Sequence, residues 1–313
     1  MNQSPLHITN GDSLTQFLDE LNIKGEKLTW REMLCEGPTI ETIDCDDFFD
    51  LRKSFLKDHY NVSSSEYSLN YQLKLLKDIS SYSEIVLWFE YDLFCHINML
   101  AAISLIKQKQ IELPVYLVCS GTIEGSSELK GLSELSDEEL LEHYSNKIRL
   151  PGVAIDIAET LWGIYCGRDH NLFKPYLTMP SVFKYLSPCL KAHFERFPNP
   201  VSGLSKLENH ILKLANNEEI KTKNQLLGYA MNYQGYYGFG DVQVQRLIDN
   251  LDIFFYENGA GLTLNRDGHE ALLKHHNVSG MAKNQMMYGG VERLDFQYHE
   301  KESILIKTNN NGI

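Results

Sequence analysis

The first 120 residues alternate short apolar runs with stretches whose apolar residues recur at helical spacing. Leu6-His7-Ile8-Thr9 reads as a short strand. It leads through Asn10-Gly11-Asp12-Ser13 to Leu14, Phe17, Leu18 and Leu21, the i, i+3, i+4, i+7 pattern of an amphipathic helix. Asp12 or Ser13 is expected to cap that helix. Residues 27–30 form a second strand, ending near the turn Glu36-Gly37-Pro38. The spacing predicts a helix over 67–79 and another over 93–107. Glu84-Ile85-Val86-Leu87-Trp88-Phe89 is the most strand-like run, and Pro114 opens a further strand over 115–119. Apolar strands separated by helices predict an α/β, Rossmann-like parallel sheet covered on both faces, assigned to residues 1–135.

Residues 136–200 read as a helical segment packed on that domain, with no convincing strand. Pro198-Asn199-Pro200 and Val201-Ser202-Gly203 then interrupt the pattern and mark a domain boundary. Three short helices are predicted at 205–216, 222–233 and 240–251. Two strand-like runs follow at 253–256 and 262–264, around Asn258-Gly259-Ala260-Gly261. Three helices followed by a β-wing predict a winged-helix-like C-terminal domain over 201–313, with a final hairpin in 291–307.

Composition narrows the function classes. No apolar run reaches the roughly 18 residues of a membrane helix, so no membrane association is expected. Met1 to Asp12 carries neither a basic nor an apolar signal region, and the six cysteines show no C-x-x-C pair. Both features lead us to expect a cytoplasmic protein. The formal charge of −13 is concentrated early: residues 1–150 carry 13 Lys/Arg and 25 Asp/Glu. Such a surface repels phosphate backbones, so nucleic acid is not the expected partner. A local pocket for a small phosphorylated ligand remains compatible with it.

In an open parallel sheet, ligands collect beyond the carboxyl ends of the strands. The residues there are Asn10, Gly11, Asp12 and Ser13, then Arg31-Glu32 with Glu36 and Gly37, then Glu90 with Asp92, then Ser120-Gly121-Thr122. Free N–H groups at the Ser13 helix start and at 120–122 could hold an anion. The carboxylates of Asp12, Glu90 and Asp92 suit a hydroxyl-rich ligand or a hard cation. No cofactor is named by these residues, and Cys95-His96 and His275-His276 have no companion ligands at metal-site spacing. Gly11-Asp12-Ser13-Leu14 also matches the opening of a serine-hydrolase class, with Ser13 as nucleophile, but the partner blocks such an enzyme needs are absent. In the presumed winged module, residues 241–251 carry one arginine and two aspartates, so a protein contact is expected there before a DNA contact.

Three ordered blocks, residues 7–13, 28–38 and 87–94, resemble an uncharacterised bacterial family named only as a domain of unknown function (number eighteen thirty-five). So do 203–208, Phe239-Gly240-Asp241 and Tyr288-Gly289-Gly290-Val291. The resemblance spans nearly the whole chain and departs at Cys95-His96, where family members commonly carry Asp-Gln. It implies no activity, substrate or cofactor. The expectation is therefore a small polar or phosphorylated ligand, bound or also turned over, at the strand-end crevice. The alternatives are a regulatory or DNA-associated adaptor acting through the C-terminal module and a serine hydrolase using Ser13.

Overall fold

The apolar run at the start of the chain forms β1 (Ser4–Thr9), where Leu6 and Ile8 are buried on one face and His7 and Thr9 on the other. A strand covered on both faces belongs inside a parallel sheet. α1 (Asp12–Glu20) buries Leu14 and Leu18, and β2 (Glu26–Thr29) returns parallel to β1. The computed structural model describes residues 3–121, 129–217, 220–232, 234–258, 261–282 and 284–308.

β3 (Gly37–Pro38), α2 (Asp46–Tyr60) and α3 (Leu69–Gln72) lead to β4 (Tyr82–Phe89), which pairs with the other edge of β1. The helix expected over 67–79 is not continuous. It breaks into α3 and two 3-10 turns, Leu73–Lys77 and Ile79–Ser81. Leu69, Leu73 and Leu76 are buried at the four-then-three spacing of an α-helix, while the backbone tightens into 3-10 turns. α4 (Leu93–Gln108) is buried almost all round, and β5 (Val115–Cys119) adds parallel to β4.

α5 (Asp137–Ser145) is followed by a strand that the periodicity did not reveal, β6 (Ile148–Arg149), antiparallel on the edge of β5. The main sheet thus has the order β2-β1-β4-β5-β6. α6 (Gly152–Cys166) and α7 (Leu186–Glu195) pack against α4. Next come α8 (Lys206–Ala215), α9 (Lys223–Asn232) and α10 (Asp241–Asn250). The hairpin β7 (Phe255–Asn258) and β8 (Gly261–Leu264) precedes α11 (Arg266–Leu272). β9 (Met287–Gly289), β10 (Val291–Glu292), β11 (Phe296–His299) and β12 (Ile304–Lys307) are the last elements among the described residues. The fold is mixed α/β with a mostly parallel central sheet.

Early and late segments share one apolar core, which runs from Leu6 to Leu305. β3 pairs parallel with β9, setting Gly37 beside Tyr288. Charges cross the same boundary. Arg246 of α10 donates to Glu36 Oε1 at 2.6 Å, and Arg293 donates to Glu208 at 2.5 Å. A buried chain of rings closes the core under α7. His170 Nε2 lies 2.9 Å from the Tyr165 carbonyl, so it must donate; its Nδ1 then accepts from His193 Nε2 at 2.8 Å. His193 Nδ1 accepts from Arg196. Both imidazoles are neutral in this arrangement: burial lowers the His170 pKa to about 4 and, with Arg196 adjoining, takes His193 well below its ordinary value. No helix among the described residues is long and apolar enough to cross a membrane.

Candidate functional site at the strand ends

β2 lies on one side of β1 and β4 on the other, so the strand order reverses at β1. Crevices open beyond the carboxyl ends of strands at such a reversal. Here the β1 end supplies Asn10-Gly11-Asp12-Ser13, the β2 end Trp30-Arg31, and the β4 end Glu90-Tyr91-Asp92.

On the β2 side is a cleft of about 340 Å³, walled by Trp30, Tyr67 and Phe94 and edged by Asn10, Gly11, Asp12 and Arg31. Gly11, not Asp12 or Ser13, is the residue before the first turn of α1. It sits at φ 97° and provides no side-chain cap. The expected cap fails because the Asp12 carboxylate turns outward to Arg31, which donates to Asp12 Oδ1 from Nε at 2.8 Å and from Nη2 at 2.6 Å. Arg31 Nη1 also donates to Ser68 Oγ at 3.0 Å, pinning the fork across the mouth. The hydrogen bond to Asp12 raises the Arg31 pKa further, so the guanidinium is a fixed cation. Inside the wall, Trp30 Nε1 is buried with no hydrogen-bond partner. Ser13 is exposed on the first turn of α1, and no hydrogen bond joins it to a histidine among the described residues.

On the β4 side the polar groups are deeper. Asp92 caps α4 by accepting from the Cys95 N–H at 2.7 Å and is almost fully buried. Glu90 accepts from the Leu132 N–H at 2.7 Å. Burial first, and then Glu90 nearby, pushes the Asp92 pKa up to about 7; burial also raises Glu90. Asn10 links the two sides. Its amide donates to Cys95 Sγ at 3.0 Å, and its carbonyl accepts from Asn98 at 2.8 Å. The late part of the chain covers this corner: Leu93 and Phe94 donate their N–H groups to the Tyr236 and Tyr237 carbonyls. Gly238 lies so close to Asp92 that a Cβ there would meet its carboxyl carbon at 2.1 Å.

Glu36 and Gly37 do not join this group. Glu36 is 1% exposed, and both of its oxygens are engaged: Arg246 on one, Gln243 at 3.0 Å and Tyr60 on the other. Burial alone would raise its carboxyl; Arg246, Tyr60 and Gln243 together hold it below the ordinary range. Gly37, at φ 82°, abuts Phe55, and a Cβ there would lie 2.5 Å from the ring. Glu32 is equally committed, paired at 2.9 Å with Arg52, both side chains fully buried. Ser120 is buried at the end of β5; Thr122 lies outside the described residues. Cys95 and His96, which the sequence leaves without companion ligands, have different surroundings. His96 does pack: it is buried and its Nδ1 donates to the Asp92 carbonyl at 2.9 Å. Cys95, by contrast, has its sulfur beside the carboxylates. This convergence is local: the end of β4 runs directly into the first turn of α4, where Asp92 accepts the Cys95 N–H.

The fold and these strand ends define an α/β protein with a ligand-sized cleft at the point where its sheet reverses. No protein-family model matches the chain, and no curated protein does. Among solved structures, the DNA-binding, cleavage and re-ligation domain of Plasmodium falciparum topoisomerase II is similar at 16% identity and a TM-score of 0.44. The similarity covers 82% of this chain and 43% of that one, so this chain spans less than half of its length. A likeness this distant carries no functional argument.

Proposed function

We propose that the protein binds a small polar, phosphorylated ligand in the cleft beyond β1 and β2. The observation that carries this reading is the cleft itself, about 340 Å³, with an aromatic wall on one side and Arg31 with the uncapped start of α1 on the other. That volume lies within the range of small-molecule sites. Beyond the bonds to Asp12 and Ser68, Arg31 keeps one N–H on each of Nη1 and Nη2, and these with the free N–H groups of a helix start favour a phosphoryl or carboxylate group. Asp12 orients Arg31, and Trp30, Tyr67 and Phe94 provide apolar surface for the ligand's body. A thermal-shift screen of the full chain with nucleotides and sugar phosphates tests this. A ligand at 100 times its Kd adds about 2.7 kcal/mol of stability, and that gain is expected to vanish in Arg31→Ala. A wild-type protein that no member of the panel stabilises removes the support for this reading.

A second reading, an adaptor acting through a winged-helix-like module in 201–313, is favoured by one observation: three helices, α8 to α10, precede the β7–β8 hairpin. Its partner in this reading is protein rather than nucleic acid. Arg246, the single arginine of α10, points inward to Glu36, while Asp241, Val242 and Asp249 are the exposed residues of that helix. Salt-dependent retention of the full chain on DNA would reverse that preference.

A further inference from the structure

We infer that Glu90, Asp92 and Cys95 form a binding site for a divalent cation of the zinc and cobalt class, next to the cleft but independent of it. One carboxylate oxygen from each acid and Cys95 Sγ lie within 4.8 Å of one another. Two carboxylates and a thiol that converge on one point, from the end of β4 and the first turn of α4, are a donor set that a single ion can satisfy.

Neither Glu90 nor Asp92 forms an ion pair with a lysine, arginine or histidine among the described residues, and the groups that perturb them are acids, thiols and backbone N–H groups. Buried carboxylates are ordinarily paired or bound to metal. The other buried acids of this protein follow that rule, Glu32 with Arg52, Glu36 with Arg246 and Glu208 with Arg293. Asp92 is the exception among the buried acids of the described residues, and half-buried Glu90 beside it has no ion pair either.

A second observation comes from the neighbouring strand. Ser120 is 1% exposed, and its Oγ has no hydrogen-bond partner. Phe89 pairs with Cys119 in the last register of β4 and β5, so Glu90 and Ser120 are the residues that leave these two adjacent strand ends. An unpartnered hydroxyl beside an uncompensated carboxylate is accounted for by an ion, or its bound water, between them.

The thiol selects among metals. Magnesium and calcium prefer oxygen donors throughout, whereas a sulfur ligand favours zinc or cobalt. Binding replaces the Cys95 S–H bond by a metal–sulfur bond and releases that proton to water; no electron is transferred. The Asn10 amide, already donating to Sγ at 3.0 Å, is placed to stabilise the thiolate that forms. Three protein ligands leave a further coordination position for Ser120 or water.

The test is a titration of the full-length, reduced protein with cobalt(II), followed by zinc competition. One equivalent is expected to bind, with a sulfur-to-cobalt charge-transfer band in the near ultraviolet that zinc abolishes. Cys95→Ser should remove the band and weaken binding at least tenfold, Asp92→Asn should weaken binding with the band's origin unchanged, and Cys45→Ser should behave as wild type. Wild-type protein that takes up no stoichiometric cobalt overturns the inference without recourse to any variant. So does a band that survives in folded Cys95→Ser or disappears in Cys45→Ser.

Discussion

Replacing Arg246 by Met removes a cation from α10 while nearly preserving its volume, and leaves Glu36 behind. In the native protein Glu36 is 1% exposed and receives Arg246 at 2.6 Å, while the same guanidinium donates to Asn284 at 2.9 Å and to the Tyr60 hydroxyl at 3.2 Å. Breaking a buried pair from one side costs about 3–5 kcal/mol, because the remaining charge loses its partner but stays out of water. Since the Arg246 side chain is 14% exposed, the lower end of that range, about 3 kcal/mol, is the expected loss. Urea denaturation of Arg246→Met and of the double variant Glu36→Gln/Arg246→Met measures it. The double variant should recover more than about 1 kcal/mol, since neither charge is then stranded. The pH dependence has a definite sign. Without Arg246, burial raises the Glu36 pKa above its unfolded value, so its penalty is small at pH 5 and grows as pH rises through the folded value. An Arg246→Met protein as stable as wild type, with no coupling to Glu36, would refute the reasoning and return α10 to candidacy as a nucleic-acid helix.

Further outcomes follow from the same structure. Gly37→Ala should cost at least about 2 kcal/mol in urea denaturation, since φ 82° disfavours a side chain and the new Cβ would press on Phe55. Gly238→Ala should open the cover over Asp92, read as faster amide exchange at Leu93 and Phe94, whose N–H groups are bonded to Tyr236 and Tyr237. His170 and His193 fold as neutral rings with lowered pKa values, so the unfolded chain binds more protons below the ordinary histidine value of 6.5. Stability should therefore fall as pH drops from about 6.5 toward 4, by about 1.4 kcal/mol per pH unit for each ring, and His170→Phe should flatten that slope.

Among the first 120 residues, β1, β2, β4, β5, α1 and α4 were legible, because burial on one face or throughout writes a pattern into the sequence, whereas the helix α2 was not read. β3 and β6, with two residues each, are too short to carry a period. The 67–79 stretch keeps the four-then-three spacing of buried Leu69, Leu73 and Leu76, so its break into 3-10 turns leaves no mark on the apolar pattern. At the site, Asn10, Gly11, Asp12, Arg31, Glu90 and Asp92 could be read from their positions after strands. Glu36 occupies an equally suggestive position, yet its use is set by Arg246, 210 residues away. Ion pairs at that separation leave no local pattern. Cys95 lies only three residues after Asp92, but nothing in that spacing distinguishes a ligand from a packing residue.

The central claim, a ligand held between Arg31 and the aromatic wall of the strand-end cleft, is tested most directly by calorimetric titration. The phosphorylated compound that raises Tm most is titrated into full-length wild type, Arg31→Ala and Lys213→Ala, the last remote from the cleft. The account predicts saturable 1:1 binding to wild type and Lys213→Ala, and at least tenfold weaker binding to Arg31→Ala. Equal affinity in all three proteins, or no binding heat in wild type, would contradict it.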